Sequence, residues 1–158
     1  MKRIMFDVRS RNPLRHGSKY VYIGVSAVQD VARKSEVEMI VSTLREKFVI
    51  SAGDKLDEMG RLIAGIGTHD GSIKNHAHEI KSLAHALKGT AGSFGFMSIT
   101  RIAEAFEEFL AASERAGALS AADTRRYFDA MRAIISDGNE PEEDEIIRIL
   151  DALPSAAG

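Results

Sequence analysis

The stretch IKNHAHEIKSLAHALKGTAGSFG, residues 73–95, carries a continuous apolar stripe and decides the fold that we expect. Its apolar residues alternate steps of four and three, the spacing of one helix face. They are Ile73, Ala77, Ile80, Ala84, Leu87, Ala91 and Phe94. Asp70 or Ser72 can cap the start of the helix, and Gly95 can end it. The spacing therefore predicts an amphipathic helix from about Ser72 to Phe94.

The segments on either side repeat this spacing. Their stripes cover Leu44–Ile66, Ile99–Leu110, Thr124–Ile135 and Ile146–Leu153. Gly117 and Gly138 are placed to end the third and fourth helices, and Pro141 is placed to open a short last one at its first helical position. Short links between helices favour antiparallel neighbours. We therefore expect an all-α fold, an antiparallel up-and-down four-helix bundle with a short additional C-terminal helix.

The first part of the chain has a different pattern. The segments RIMFDV (3–8) and YVYIGVSAV (20–28) are rich in β-branched and aromatic residues and flank a turn-rich segment. They predict either a short hairpin or an extended arm. We accordingly expect two parts, an N-terminal arm at residues 1–34 and the helical bundle at residues 35–158.

Composition and charge limit the function. The 158 residues suit one domain with a single core, and the absence of cysteine excludes disulfides and thiolate chemistry. No apolar run approaches the length of a membrane span and no signal-peptide pattern opens the chain, so we expect a cytoplasmic protein with no membrane partner. Residues 1–30 have a net charge of +4, against −6 for the rest. The basic head could bind nucleic acid, but no recognition motif accompanies it, and we expect none bound.

The helical wheel separates one histidine from the core. With Ile80 set at 0° and about 100° per residue, His85 lies near 140°, away from the apolar stripe. Lys81 and Lys88 lie near 100° and 80° on the same side. The pattern therefore predicts an exposed imidazole with two cations within about one turn. A helical histidine on such a face is also a common plain surface residue, and spacing alone leaves both interpretations open.

Two glycines share this face. Gly89 and Gly92 lie near 180° and 120° on the same wheel of about 100° per residue, and each costs a helix about 1 kcal/mol relative to alanine. One interpretation is clearance for a partner that approaches His85; the other is close packing between helices. A neutral imidazole is a competent nucleophile at neutral pH, and lysine suits phosphate oxygens. Phosphoryl transfer depends mainly on positioning, which clearance would serve.

The other histidines carry no site. His76 lies near 320° on the wheel of about 100° per residue, at the core or its rim, while His16 and His69 fall in loop-like sequence. His78 shares the face of His85 but lies about 10.5 Å away along the helix axis, too far for one metal ion. We predict no metal site.

These residues resemble a known family. The signature of histidine-containing phosphotransfer (HPt) domains reads His-x-Leu-Lys-Gly, a small residue, and a glycine about ten positions after the histidine. The matching positions are His85, Leu87, Lys88, Gly89, Thr90 and Gly95. ITRIAEAFEEFL (99–110) is similar to the next family helix, with its apolar stripe and acidic patch. The resemblance covers about Ser35 to the C-terminus.

The resemblance implies a phosphorelay role. His85 would accept a phosphoryl group from the aspartyl phosphate of a receiver domain and pass it to another, with Lys88 stabilising the group and Gly89 leaving room. The protein would have no kinase activity and no cofactor of its own, since the receiver supplies the aspartate and Mg²⁺. The implied partners are response-regulator receiver domains and a hybrid sensor kinase, and we expect a monomer. Candidate binding residues around His85 are Lys81, Ala84, Gly89, Gly92 and Phe96, with Ala86, Phe94 and Met97 nearby.

Two alternatives use the same helices. In a histidine-kinase dimerisation pair, an acidic residue usually follows the histidine and Thr or Asn stands four positions on; here these positions are Ala86 and Gly89, and no nucleotide-binding motif is present. A non-catalytic adaptor would dock on a partner helix and would not need His85.

Overall fold

A computed structural model describes residues 4–6, 21–23, 25–66 and 73–155, and it describes side chains at residues 33–66 and 76–155. The chain forms two compact units, Met1–Thr43 and Leu44–Gly158. The boundary that the sequence suggested, between residues 34 and 35, falls inside the first helix.

The first unit contains the predicted hairpin. Strands β1 (Ile4–Phe6) and β2 (Val21–Ile23) pair antiparallel, with Ile4 opposite Ile23 and Phe6 opposite Val21. Helix α1 (Val25–Ala64) begins two residues after β2, about ten residues before the expected start. The segment YVYIGVSAV thus divides between a strand and a helix. The β-branched residues after Gly24 are followed by good helix formers, and α1 includes these β-branched residues in its first turns.

The second unit is helical throughout its described residues. It contains the C-terminal part of α1, then α2 (Ile73–Ala91), α3 (Met97–Ala116), α4 (Ala121–Asp137) and α5 (Glu143–Ala152). Short links join α2 to α3, α3 to α4 and α4 to α5. The all-α bundle with a short C-terminal helix is confirmed, including the predicted helix ends at Gly117 and Gly138.

The bundle has one hydrophobic core, made from the predicted stripes. Its largest fully buried apolar side chains are Leu56, Met59, Ile80, Leu87, Phe96, Ile99, Ile102, Phe106 and Met131. Tyr127 stacks on Phe106 at 4.8 Å between ring centroids and donates a hydrogen bond to the Pro154 carbonyl. These contacts attach the C-terminal segment to α3 and α4 of the same unit.

Two details of the predicted pattern are wrong. Leu44, the expected first member of the α1 stripe, is exposed, and the buried stripe begins at Phe48. Pro141 is not the first residue of α5, because Glu142 is the N-cap residue and Glu143 begins the helix. Pro141 thus lies just outside the helix, where its missing N–H removes no helical hydrogen bond.

The link between α2 and α3 positions the candidate site. Residues Gly92–Phe94 form one turn of 3-10 helix, and Gly95 follows with φ of 80°, the left-handed conformation that favours glycine. The Phe96 amide then donates to the Ala91 carbonyl. The chain reverses within five residues, so α3 returns directly alongside α2.

Candidate functional site

Helix α2 presents His85 to solvent while its opposite face builds the core. The side chain of His85 is 72% exposed, whereas Ala84 and Leu87 beside it in sequence are fully buried. The prediction that His85 points away from the core is confirmed. Because the buried stripe fixes the rotation of α2 about its axis, the direction of the imidazole is set by packing beneath it.

A glutamate from α3 holds this histidine. Nδ1 of His85 lies 2.8 Å from Oε1 of Glu107. An ionised carboxylate only accepts hydrogen bonds, so Nδ1 carries a proton and its N–H donates a hydrogen bond to Glu107. Nε2 is then the ring nitrogen with a free lone pair when the ring is neutral. The arrangement orients the imidazole and fixes its tautomer.

The same carboxylate also binds the neighbouring lysine. The second oxygen of Glu107 accepts from Nζ of Lys88, so one carboxylate bridges two side chains of α2. Glu107 is only 14% exposed and Lys88 is 29% exposed. Phe106, the residue before Glu107, is fully buried in the α3 stripe. Because this burial fixes the rotation of α3 about its axis, Glu107 is directed toward α2.

Glu107 was missing from the predicted site. The sequence showed an acidic segment on this helix but not which carboxylate faces His85. Glu104 and Glu108 are exposed, and Glu107 alone of these three is half-buried. The available signal was its position beside the apolar stripe, on the flank of a helix that short-loop geometry places next to α2. To choose between the two flanks of α3, one must know how α2 and α3 cross, and the sequence does not give that geometry.

The electrostatics of the pair favour the charged forms. Partial burial raises the pKa of Glu107, but hydrogen bonds from Lys88 and His85 and their charges lower it, and the net pKa is below the usual 4.5. The hydrogen bond to Glu107 raises the pKa of Lys88 above 10.5, desolvation opposes this effect, and the charges of Glu107, Glu104 and Glu108 add to it. At neutral pH the site therefore contains a carboxylate and an ammonium group beside the imidazole.

The two glycines near His85 have different surroundings. A Cβ at Gly89 would have no atom within 4 Å, so this position opens onto solvent. A Cβ at Gly92 would lie 3.0 Å from Sδ of Met97 and 3.4 Å from Oγ1 of Thr100. Clearance for a partner fits Gly89, whereas Gly92 accommodates side chains of α3. The second interpretation, close packing between helices, therefore fits the half-buried Gly92 better than clearance does.

The remaining predicted binding residues divide by burial. Lys81 is half-buried one turn before His85. Ala84 and Phe96 are fully buried, which contradicts their placement on a binding surface. Phe96 was a candidate because it lies close to His85 along the chain, but after the Gly95 turn its ring packs on Phe48, 5.4 Å away between centroids, and beneath the Arg45 guanidinium. Met97 is 53% exposed and is the apolar side chain of this group that solvent reaches most.

The other histidines lie as follows. His76 is half-buried and packs close to Gly65, where an added Cβ would approach its ring to 2.8 Å, in line with its expected place at the rim of the core. His78 is exposed. His16, His69 and the basic head at residues 1–30 have side chains outside the described residues. Within the described side chains, no group of three or more His, Cys, Asp or Glu residues is arranged to hold a metal ion.

Comparison with protein families identifies the class of this bundle. Residues 43–156 match the family model described as Hpt domain, which covers most of the chain, and the chain belongs to this family. Hpt domains are phosphotransfer modules of two-component signalling. Searches of curated proteins and of solved structures returned no match. Among the described helices, none is long and apolar enough to cross a membrane.

Proposed function

We propose that His85 is the phosphoacceptor of a phosphorelay. It takes a phosphoryl group from the aspartyl phosphate of one receiver domain and passes it to the aspartate of another. The observation that carries the proposal is the hydrogen bond from Nδ1 of the exposed His85 to Glu107, which leaves Nε2 directed outward as the nucleophile.

The transfer step follows from this geometry. The Nε2 lone pair attacks phosphorus in line with the bond to the aspartyl oxygen, that bond breaks, and the aspartate leaves as a carboxylate. Positive charge develops on the ring as the N–P bond forms. The Glu107 carboxylate on Nδ1 stabilises this charge, as a buried carboxylate does for an imidazolium formed during catalysis. The return step runs the same sequence in reverse.

Lys88 has two partners in this scheme. In the free protein its ammonium group pairs with Glu107. A phosphoryl group on Nε2 would bring oxygens close to the same ammonium group, and lysine can contact both anions because its three N–H donors rotate freely. The open space above Gly89 allows a receiver to approach without displacing a side chain of this helix.

In this proposal the remaining components belong to the partner, as the family resemblance implies. The aspartate, the Mg²⁺ ion and the shape of the phosphoryl pocket belong to the receiver domain, and this protein acts as a carrier without kinase activity of its own. Receiver domains, including that of a hybrid sensor kinase, are the proposed partners. Met97, exposed near the end of α2, is a candidate apolar contact for them.

The decisive experiment is transfer of radiolabel from a phosphorylated receiver domain. The wild-type chain should acquire acid-labile, base-stable label, and His85→Gln should acquire none while keeping its helical circular dichroism. His78→Gln is the matched control, because His78 is also exposed on α2, and it should be labelled normally. Equal labelling of the wild type and His85→Gln would refute the assignment and favour a non-catalytic adaptor.

A second variant tests the clearance at Gly89. Gly89→Val should fold, because no atom occupies the space of its side chain, but it should transfer phosphoryl groups more slowly. An unchanged transfer rate would show that this glycine does not serve the approach of the partner.

A further inference from the structure

The first unit has an apolar surface that its own described residues do not cover. Every described side chain of this unit, residues 33–43, is exposed. Val37, Ile40 and Val41 are 54–58% exposed, and Leu44, the next residue of the pattern on the same helix, is 46% exposed. We call Val37, Ile40, Val41 and Leu44 the α1 stripe. Contiguous exposed apolar side chains of this kind mark association sites in soluble proteins.

The unit is also too small to be stable by itself. It spans 43 residues, and its described elements are two three-residue strands and part of one helix. A two-stranded hairpin is marginal in water, and domains near 40 residues usually need disulfides, metals or oligomerisation. The chain has no cysteine. Association is one source of stability open to a unit of this size.

The spacing of the α1 stripe specifies a helical partner. Val37, Val41 and Leu44 follow steps of four and three, the d, a and d positions of a heptad. A β-branched residue at a with leucine at d favours parallel two-stranded coiled coils. Val41 and Leu44 have these identities. The pattern therefore fits a second, parallel copy of the same helix.

The flanking charges fit the same partner. In this register Arg33 lies at g and Glu38 lies at the following e position. In a parallel pair, each g residue faces the following e residue of the other helix. Arg33 of each chain would thus face Glu38 of the other, which gives two ion pairs in a symmetric dimer. Among the described side chains, Glu38 makes a long contact to Lys34, 4.0 Å away, and both side chains are mostly exposed.

We propose that this protein forms a parallel homodimer through the α1 stripe, with Arg33–Glu38 pairs between the two chains. The α1 stripe is then an association element, and its residues differ from those of the site around His85 and Glu107. The proposal differs from the expectation of a monomer that was stated with the family resemblance.

Sedimentation equilibrium on the full chain, from about 1 to 100 μM, tests the proposal. The wild type should be a dimer over the upper part of this range. Val41→Glu should weaken the dimer about a hundredfold or more, because it would bury two like charges in one layer. Ile50→Glu is the matched control, because Ile50 is 68% exposed on the same helix but lies off the stripe, and it should leave the dimer intact. A monomeric wild type, or equal effects of both variants, would overturn the proposal.

Charge exchange and cross-linking test the orientation. Arg33→Glu and Glu38→Arg should each weaken the dimer severalfold, and the double variant should restore it. Because the chain lacks cysteine, Val37→Cys, Val41→Cys and Leu44→Cys provide unique cross-linking sites. All three should form interchain disulfides in a parallel pair, where identical residues face each other within the reach of about 3.5–4.5 Å between Cβ atoms. Cross-linking at one position only, with no rescue by the double variant, would indicate an antiparallel pair and overturn the proposed register.

Discussion

At the residue scale, the site depends on one carboxylate that serves two side chains. Glu107 accepts from Nδ1 of His85 and from Lys88, so the imidazole is oriented and the lysine is held one turn away. The sequence predicted the exposed histidine and the lysine because both lie on α2, where the apolar stripe sets every direction. It could not select Glu107, because that choice depends on the contact between two helices.

The first prediction concerns the tautomer of His85. With Glu107 present, the neutral ring should carry its proton on Nδ1, and Glu107→Ala should remove this preference. Transfer should slow about tenfold, since a hydrogen bond to a charged group contributes about 1.5 kcal/mol. Nitrogen NMR of the imidazole reports the tautomer independently of activity. Glu104→Ala, an exposed carboxylate on the same helix, is the control and should change neither quantity.

A second prediction concerns pH and stability. The folded-state pKa of Glu107 lies below its ordinary value, so the ionised form favours folding. This contribution is complete above the unfolded-state pKa of about 4.5 and disappears as pH falls through the lower folded-state value. At neutral pH the free energy of unfolding should therefore be larger for the wild type than for Glu107→Gln. This difference should shrink on acidification. A difference that stays constant down to about pH 3 would contradict the assigned pKa direction.

At the element scale, periodicity predicted the helices well and their ends less well. The described residues of the α2, α3 and α4 stripes are buried, except Phe94, which is half-buried, and glycines end α3 and α4. The errors cluster where a helix meets a turn. Gly92 begins the 3-10 turn and lies against side chains of α3, and Phe96, which follows the left-handed Gly95, is fully buried.

A third prediction separates stability from function in α2. Gly89→Ala should raise the free energy of unfolding by up to about 1 kcal/mol, because it fills open space in a helix. It should also slow phosphoryl transfer, if only slightly, through the added methyl group. Gly53→Ala is the matched variant in α1, where the Cβ space is equally empty, and it should raise stability without changing transfer. Thermal unfolding and radiolabel transfer measured on both variants test the two effects.

The fourth prediction concerns the start of α3. Its N-cap residue is Phe96, whose side chain makes no capping hydrogen bond. Glu140, from the link before α5, accepts instead from the backbone N–H and the hydroxyl of Ser98, both at 2.7 Å. Glu140→Ala should cost about 1.5–3 kcal/mol, since Ser98 is fully buried and would lose a charged partner. Urea unfolding measures the loss. The exposed Glu114→Ala should have little effect, and an equal loss there would contradict the capping role.

At the scale of the whole molecule, the chain separates a core-forming part from an exposed one. The described core residues all lie at position 48 or later, within the second unit, while the described side chains of residues 33–43 are all exposed. The sequence predicted two parts, but it suggested that the basic arm was the special feature of the first. The structure adds the α1 stripe, which periodicity assigned partly to the bundle. Because the residues of the α1 stripe are exposed, this stripe is available to a second chain, whereas the buried stripes pack within their own chain.

The fifth prediction follows from this division. A chain that begins at Leu44 retains every described core residue, so it should unfold cooperatively with a Tm within a few degrees of the full-length value. It should accept phosphoryl groups on His85, because His85, Lys88 and Glu107 all lie in the retained part. It should sediment as a monomer at concentrations where the full chain is a dimer, since it lacks Val37, Ile40 and Val41. Loss of cooperative unfolding would show that residues 1–43 contribute to the bundle core, whereas a truncated chain that still dimerises would place the interface in the second unit.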